Sequence, residues 1–427
     1  MLCAYYDIHN ANIFDELFGP LYVGKNPTSS RNKHLVLKFD LSSISVSSSV
    51  DKMEASFNKT INRVLNEFLQ KYNLELGYPE EANVIDPSSA SESLNRVLSL
   101  VGTCRQSLFV GVDEYDAPAN NSAFPGGNTR LDRDAIKRVQ VIEAFFKENF
   151  FSILKQGCAA ISNNEYGVTI SKYFLTGVTP AFRAGISPLT ATTIVSHNRS
   201  LHGICGFTDN EVKAIVKHYL GKDDQDAEPI VHSMRRLYNG YFFAMSGYDD
   251  YNSDPALLYN PHLVFHYLSD LRSEGFVAKP EESTAVHSTT ILRSISDMGE
   301  FSVNDLVELI ISKSVQSKIK TEFGYSELLA VGKDRQVTWS LLFYLGILTL
   351  GLNGSLRVPN DVIKSDVLNR IEGFLRTQIK ISTLMVPAMA NLKAGRPNEF
   401  RELLQNFLLS RNVRSLQTAN EAVLQGI

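Results

Sequence analysis

Three short apolar runs, separated by helical patterns, constrain the fold of the first half of the chain more than any other feature. The runs are HLVLKFDLSSI at 34–44, SLFVGVD at 107–113 and KYFLTGVTP at 172–180. Each has the length of a buried strand. Strands that alternate with helices form a parallel sheet covered on both faces. The sequence therefore predicts an α/β core, and TATTIVSHN at 190–198 is interpreted as a further strand.

Amphipathic helices are predicted in the intervals between the strands. In DKMEASFNKTINRVLNEFLQKYNL, at 51–74, apolar residues recur three and four positions apart. This spacing predicts a helix with one buried face, and Ser49 is its expected N-cap. Two more helices are predicted at 90–101 and 134–154.

The second half of the chain is predicted to be mostly helical. Thr208 is a helix N-cap signal, with Glu211 three residues later as its capping-box partner. LLFYLGILTLGL, at 341–352, is interpreted as a buried helix because a membrane span needs about 20 apolar residues. Asn353 and Gly354 stand between short apolar runs and predict a tight hairpin turn.

The composition is that of an ordinary folded, non-secreted protein. A chain of 427 residues, 44% of them hydrophobic, should form roughly two or three domains. The formal net charge of −4 excludes a globally basic nucleic-acid-binding protein. The four cysteines form no CxxC pair, so reduced thiols are predicted and not disulfides or a zinc site. Because the N-terminus has no basic signal-peptide region, an intracellular protein, cytoplasmic or nuclear, is predicted.

The acidic end of the second apolar run is the main candidate for a functional site. In SLFVGVDEYDAP, the carboxylates of Asp113, Glu114 and Asp116 follow the strand closely. Because an unpaired buried carboxylate is costly, these acids require a cation or another partner. Ligands of open α/β sheets bind beyond the carboxyl ends of the strands, where the next strand brings Thr176. An apolar strand followed by Asp-Glu is typical of the Walker B element of P-loop ATPases, and a solvated turn after a core strand is the alternative interpretation of this pattern alone.

Five ordered sequence blocks carry a resemblance to a known family. They are VDEYDAP, KYFLTGVTPAFRAG, CGFTDNEV, RRLYNGYFF and LYNPHLVFHYL. Together they closely resemble the AAA-ATPase-like family that is abundant in fungi and often fused to a PD-(D/E)XK nuclease-like domain. The resemblance continues through WSLLFYLGILTLGL and RSLQTANEAVLQGI, and so covers most of the chain. It implies a P-loop-NTPase-like core, a helical lid and a winged-helix-like region.

The resemblance also implies roles for individual residues. Asp113 would bind Mg²⁺, Glu114 would activate the attacking water, and Thr176 would act as the sensor. Asp116 and Arg183 would contribute to nucleotide binding, although Arg183 also fits an ordinary surface position. The implied cofactors are ATP and Mg²⁺. The implied role is nucleotide-driven regulation of a fused or separate nuclease-like effector.

The phosphate-binding loop of such an ATPase is missing from the sequence. The near match GPLYVGKN, at 19–26, follows a helical pattern where a strand is required, and Pro27 interrupts any helix after it. Asn26 replaces the hydroxyl that binds Mg²⁺. MLCAYYD resembles the helix after the family's phosphate loop, and NEAVLQGI, at 420–427, resembles the first helix of the nuclease-like domain. We therefore expect truncation at both ends, weak or absent ATP binding and negligible hydrolysis.

These patterns predict four segments. They are a truncated ATPase-like α/β core at 1–203, a helical lid at 204–295, a winged-helix-like region at 296–410 and the start of a nuclease-like domain at 411–427. Residues 357–427 contain ten Lys or Arg against six Asp or Glu. A weak nucleic-acid contact in this region is therefore a hypothesis, beside that of a solvated surface. No contact with a membrane is predicted.

Two other functions stay open, together with a weaker metal-site candidate. A non-catalytic interaction scaffold would keep only the shape of the ATPase. Asp113, Glu114 and Asp116 would also suit a divalent-metal-dependent nuclease, although no (D/E)xK triplet follows a predicted strand. His262 and His266 lie four residues apart on a predicted helix, a spacing that can bind zinc. Packing against neighbouring apolar residues is the favoured interpretation of both histidines.

Overall fold

The chain divides into two compact units, which we describe separately. The first comprises Met1–Thr193 and Lys320–Val331, and the second Ile194–Ile319 and Gly332–Ile427. The predicted division into four segments stays a prediction. The computed structural model describes residues 1–46, 50–77, 83–123, 133–159, 169–178, 189, 192–244, 256–275, 300–321, 324, 330, 334–351, 354–378 and 385–403.

A parallel sheet of three strands lies at the centre of the first unit. The register places Asp40 beside Asp113 and Val112 beside Leu175, so the carboxyl ends of the strands meet at one edge. The predicted parallel α/β sheet is confirmed. The strands, paired in chain order, are β1 (Leu35–Asp40), β2 (Leu108–Asp113) and β3 (Ile170–Leu175).

Strand β2 is buried from Leu108 to Val112 because both faces of the sheet are covered. On one face Phe39 meets Phe150 edge to face, with ring centroids 5.0 Å apart. On the other face Tyr6 stacks on Phe109 at 4.7 Å. Continuous apolar runs are characteristic of strands packed between two layers. Burial decreases at the end of the strand, and this is where the acidic residues begin.

The helices of the first unit lie close to their predicted positions. The predictions at 51–74 and 90–101 are confirmed, whereas Ser49 lies outside the described residues. The predicted helix at 134–154 is confirmed as two helices joined by a π turn, Lys147–Phe151. The helices are α1 (Leu2–Tyr6), α2 (Phe14–Phe18), α3 (Tyr22–Lys25), α4 (Val50–Lys71), α5 (Asn73–Leu76), α6 (Ala90–Thr103), α7 (Ala117–Ala123), α8 (Arg133–Phe146) and α9 (Ser152–Cys158).

The predicted strand at 190–198 is wrong for its described residues, 192–198, which form no strand and contain a turn at Ser196 and His197. The backbone N–H and the hydroxyl of Thr192 both donate to the carbonyl of Leu189, at 3.1 and 2.7 Å. The backbone N–H of Asn198 donates to the carbonyl of Val195 at 3.0 Å. Such local bonds compete with the hydrogen bonds of a sheet and outweigh the strand preference of threonine.

The second unit is mainly helical. The predicted capping box is confirmed, because the Thr208 N–H donates to the Glu211 carboxylate at 2.8 Å and the Glu211 N–H donates to the Thr208 hydroxyl at 3.4 Å. The helices are α10 (Asp209–Leu220), α11 (Asp224–Tyr238), α12 (Pro261–Glu274), α13 (Glu300–Ser312), α14 (Arg335–Tyr344), α15 (Asp361–Gln378) and α16 (Met385–Lys393).

An antiparallel hairpin joins α14 to α15, as the sequence predicts. Its strands are β4 (Thr349–Leu350) and β5 (Leu356–Arg357). Gly354 lies between them with φ +69°, whereas Asn353 lies outside the described residues. The prediction of one buried helix over 341–352 is wrong beyond Tyr344. There Gly346 adopts φ +71°, a left-handed conformation that ends the helix and directs the chain into β4.

The winged-helix assignment stays a prediction, although a helix, a hairpin and a helix occur in the expected order. Among the helices that the structure describes, none is both long and apolar enough to cross a membrane.

Replacing Gly240 with alanine should strongly destabilise the second unit. Gly240 has φ +112°, and a Cβ there would lie 2.1 Å from the carbonyl oxygen of Pro359. The left-handed backbone alone would cost about 1–2 kcal/mol. With the clash added, we expect Gly240→Ala to lower the free energy of unfolding by more than ~3 kcal/mol.

A matched control for this prediction is Gly275→Ala. Gly275 has φ +76°, but a Cβ there would meet no atom within 4 Å, so the variant reports the backbone strain alone. Urea unfolding of both variants measures the difference. Equal losses of stability would contradict the predicted clash.

Candidate functional site

The candidate site lies at the carboxyl edge of the three-stranded sheet. Because the strands are parallel, this edge brings together Asp40 at the end of β1, Asp113 at the end of β2 and Thr176 directly after β3. The backbone N–H of Thr176 donates to the carbonyl of Val112 at 2.9 Å, so the pairing continues past the end of β3. Two of the predicted site residues, Asp113 and Thr176, are therefore neighbours.

Asp113 is held in one orientation by contacts to both of its oxygens. The Thr176 hydroxyl donates to Oδ1 at 2.5 Å, and the Lys38 ammonium lies 3.4 Å from Oδ2. The Thr176 hydrogen bond, followed by the contact with Lys38, lowers the pKa of the Asp113 carboxyl. The side chain is 43% exposed, so an ionised carboxylate is accessible to a ligand.

Lys38 is a site residue that the sequence analysis missed. It lies on β1 opposite Gly111, and its side chain reaches Asp113, two residues further along β2. The signal was present in the sequence, since the apolar run HLVLKFD ends in Lys-Phe-Asp and so carries a lysine near its acidic end. Only the register of β1 against β2 reveals which acid the lysine meets.

Glu114 has an unusual backbone conformation, with φ +51°. For a residue with a side chain this left-handed geometry costs about 1–2 kcal/mol. Two hydrogen bonds hold the turn: the Tyr115 N–H donates to the Thr176 carbonyl at 2.9 Å and the Ala117 N–H to the Glu114 carbonyl at 3.0 Å.

The carboxyl group of Glu114 has a raised pKa. Partial burial is the main cause, and the negative charges of Asp116, Asp113 and Asp40 add to it. Adjacent carboxyls at the strand end therefore shift in opposite directions, with Asp113 more acidic and Glu114 more basic than usual.

Asp116 is fully buried and connects the loops that follow β2 and β3. Both of its carboxylate oxygens accept the backbone N–H of Val178, at 3.1 and 3.2 Å. The Asn120 side-chain amide donates to Oδ2 at 2.8 Å. At Gly177 a Cβ would lie 2.4 Å from Asp116 Oδ1, so the loop can approach this closely only without a side chain. The geometry favours a positioning role, and nucleotide binding by Asp116 stays a prediction.

The remaining predicted residues are placed as follows. Arg183 lies outside the described residues. His262 and His266 lie on α12, as predicted, and both residues are exposed; their packing against neighbouring apolar residues stays a prediction. His266 Nδ1 lies 3.1 Å from Asp270 Oδ2, one turn further along the helix.

The segment that imitates a phosphate loop has another structural role. GPLYVGKN follows helix α2 and contains the single-turn helix α3. A Cβ on Gly19 would lie 2.4 Å from the Asp15 carbonyl oxygen, and one on Gly24 would lie 1.8 Å from that of Phe18. Both glycines are thus explained by close backbone packing, and the helix before the segment agrees with its rejection as a phosphate loop.

The donor atoms at the sheet edge suit a hard divalent cation. Asp113 and Thr176 offer oxygen ligands, which Mg²⁺ prefers, and the Lys38 ammonium shows that a positive charge is accommodated beside Oδ2. No group of three or more His, Cys, Asp or Glu that could hold a metal occurs among the described residues. Protein ligands here are therefore few, and a bound Mg²⁺ would take its other ligands from water and phosphate, as is common.

Comparison with known proteins supports the interpretation of the first unit. Residues 1–187 match a family model described as AAA-ATPase-like, predicted AAA-ATPase. The matched part contains the three strands and the acidic edge. Residues 1–187 are therefore similar to the AAA-ATPase-like family, in agreement with the resemblance in their sequence. No curated protein and no solved structure matched the chain.

Removing the buried carboxylate should destabilise the first unit. Asp116→Ala leaves the Val178 N–H and the Asn120 amide without their buried acceptor, so we expect a loss of about 2–4 kcal/mol in urea unfolding. Asp134→Ala is the control, because this aspartate is 78% exposed and should cost less than about 1 kcal/mol. Equal losses in the two variants would contradict the anchoring role.

The raised pKa of Glu114 predicts a pH-dependent effect on stability. A pKa raised in the fold means that the protonated form favours folding, and that this stability is lost as pH rises through the folded pKa. Glu114→Gln should therefore be more stable than the wild type near pH 7, by less than about 1 kcal/mol because the group is only partly buried. The difference should vanish below pH ~4, where glutamate is protonated in both states.

Urea unfolding at both pH values measures this effect, and Glu148→Gln at an exposed position provides the control. A Glu114→Gln variant that is less stable than the wild type near pH 7 would contradict the predicted sign.

Proposed function

We propose that the carboxyl edge of the first unit's sheet binds the magnesium complex of a nucleoside triphosphate, with Asp113 as the metal ligand. The observation that carries this proposal is the pair of contacts made by Asp113. Its Oδ1 accepts the Thr176 hydroxyl, and its Oδ2 lies beside the Lys38 ammonium. The family match over residues 1–187 supports nucleotide use. In this arrangement the Lys38 ammonium occupies part of the space that the metal would take.

In this proposal three residues of the sheet edge would have different roles in metal binding and catalysis. Asp113, with its lowered pKa, stays ionised and presents Oδ2 to the cation. Thr176 donates its hydroxyl to that carboxylate, and in this proposal it would also contact a terminal phosphate. Bound Mg²⁺ would offset the charge of the phosphate oxygens. Glu114, with its raised pKa, would accept a proton from water, and a more basic carboxylate is better suited to this task.

We also propose that nucleotide affinity and turnover are low in this chain. Within the described residues, no glycine-rich loop leads from a strand into a helix, so no backbone cradle for the phosphates accompanies Asp113. The GPLYVGKN glycines are explained by helix packing. The biological role that we propose is regulation of a fused or separate effector, for which the resemblance suggests a nuclease-like domain.

A non-catalytic interaction scaffold is the second candidate function. It is favoured by the ion pair itself, because Lys38 gives Asp113 a positive partner without any metal. The buried Asp116 contacts would likewise maintain the two loops in the absence of nucleotide. A divalent-metal nuclease gains no comparable support, since the described residues hold no cluster of three metal ligands.

Electron paramagnetic resonance of Mn²⁺ distinguishes these functions. The full chain is titrated with Mn²⁺ in the presence and absence of ATP, and hydrolysis is followed separately. We expect Mn²⁺–ATP to bind with a dissociation constant above roughly 100 μM, and Asp113→Ala to weaken binding about tenfold or more. Glu114→Gln should keep binding, and the exposed-site control Asp134→Ala should resemble the wild type.

Three outcomes would change these conclusions. Binding that is unaffected by Asp113→Ala would place the nucleotide elsewhere. Turnover that is present in the wild type and lost in Glu114→Gln would contradict the proposed low activity, while supporting the assigned base. No binding by any variant would leave the scaffold as the better candidate.

A further inference from the structure

The second unit contains a pocket whose lining includes four basic side chains. Its cavity volume is about 350 Å³. It lies where the end of α11 meets the start of α15, and β5 contributes one wall. The net charge of the whole chain is −4, so a cluster of four basic residues is a local departure from the average. The charged residues of this basic pocket are Arg235, Arg236, Arg357, Lys364 and one acid, Asp361.

The walls of the basic pocket are held together by backbone contacts. Gly240 packs so closely on Pro359 that a Cβ would lie 2.1 Å from the Pro359 carbonyl oxygen. The Asn360 side-chain amide donates to the Asn239 carbonyl at 3.1 Å. Both contacts join the residues after α11 to those before α15. The pocket is therefore formed by the fold before any ligand binds.

Arg357 is fixed between the two walls. Its Nη2 donates to the Gly240 carbonyl at 3.0 Å and its Nη1 to the Pro359 carbonyl at 3.5 Å. The two carbonyls orient the guanidinium, which is protonated at any physiological pH. These contacts thus hold a positive charge at the pocket wall.

The other cations differ in how strongly the protein compensates them. Arg235 forms two hydrogen bonds to the carboxylate of Asp209, at 2.9 and 2.6 Å, and therefore contributes little free charge. Arg236 pairs with Asp361 at 3.1 Å, but its side chain is 70% exposed, and such pairs are weak. Lys364 is exposed and forms no side-chain hydrogen bond or ion pair within the described residues.

We propose that the basic pocket binds a phosphate group. Arg236 and Lys364 would contact it directly, and Arg357 would supply positive charge from the wall. Arginine suits this role because its planar fork matches two phosphate oxygens at once. The phosphate belongs either to a small phosphorylated molecule or to a nucleic-acid backbone. The basic pocket belongs to the second unit and Asp113 to the first, and this proposal does not depend on the function proposed for the sheet edge.

The test uses two probes on the full chain. Binding of a fluorescein-labelled single-stranded DNA dodecamer is followed by fluorescence anisotropy at several salt concentrations, and binding of inorganic pyrophosphate by calorimetry. The double variant Arg236→Gln, Lys364→Gln should weaken binding about tenfold. Asp361→Asn should strengthen it about twofold to threefold, because it removes a carboxylate that competes with the phosphate for Arg236. Lys222→Gln, at the other end of α11, should leave it unchanged.

The double variant should bind more weakly and Asp361→Asn more strongly, whereas a general loss of folding would weaken binding in both. Thermal unfolding checks that each variant is folded. Pyrophosphate binding alone would support the pocket and identify a small phosphorylated ligand. DNA binding that weakens with salt and is lost in the double variant would support it and identify a nucleic-acid backbone. Absence of binding of both probes, or equal binding by the wild type and the double variant, would overturn the proposal.

Discussion

The buried carboxylate of Asp116 is the interaction on which the candidate site depends. A charge removed from water must be compensated by hydrogen bonds, and here the donors come from different parts of the chain. The Val178 N–H brings the loop after β3 against the loop after β2, and Gly177 fits because it has no side chain. Thr176 is thereby fixed where its hydroxyl meets Asp113. The buried hydrogen bond between Asp116 and the Val178 N–H thus determines the position of the accessible hydrogen bond between Thr176 and Asp113.

The electrostatics at the sheet edge follow from this arrangement. Asp113 gains a hydroxyl donor and a nearby ammonium, so its charged form is favoured. Glu114, one residue later, has a left-handed backbone and lies partly buried near other acids, so its pKa is raised. Neighbouring carboxyls whose pKa values are pushed apart are suited to different tasks. A metal ligand and a proton acceptor are such a pair.

The sequence predicted the elements of this site but not its contacts. Strand β2 and its acidic end are visible because continuous apolar runs and charged strand ends leave a local signature, and the capping box at Thr208 is local as well. The reach of Lys38 to Asp113 depends on the register between strands distant in sequence. The burial of Asp116 depends on a loop that approaches from β3, which no local pattern encodes.

The wrong predictions have equally physical causes. At 192–198 the strand preference of threonine was overridden by bonds to nearby carbonyls, which cannot be anticipated from residue type alone. Over 341–352 the apolar run continued past the end of a helix, because Gly346 turned the chain while burial persisted into β4. Hydrophobic periodicity reports burial well, but it locates the ends of elements less well.

The central claim is that Asp113 receives a metal–nucleotide complex at the sheet edge. A crystal of the chain grown with Mn²⁺ and a non-hydrolysable ATP analogue tests it most directly, because the anomalous scattering of manganese marks the metal position. We predict a peak beside Asp113 Oδ2, with the Lys38 ammonium displaced from its present contact. A crystal in which Lys38 still pairs with Asp113, with nucleotide or manganese bound only elsewhere, would contradict the claim.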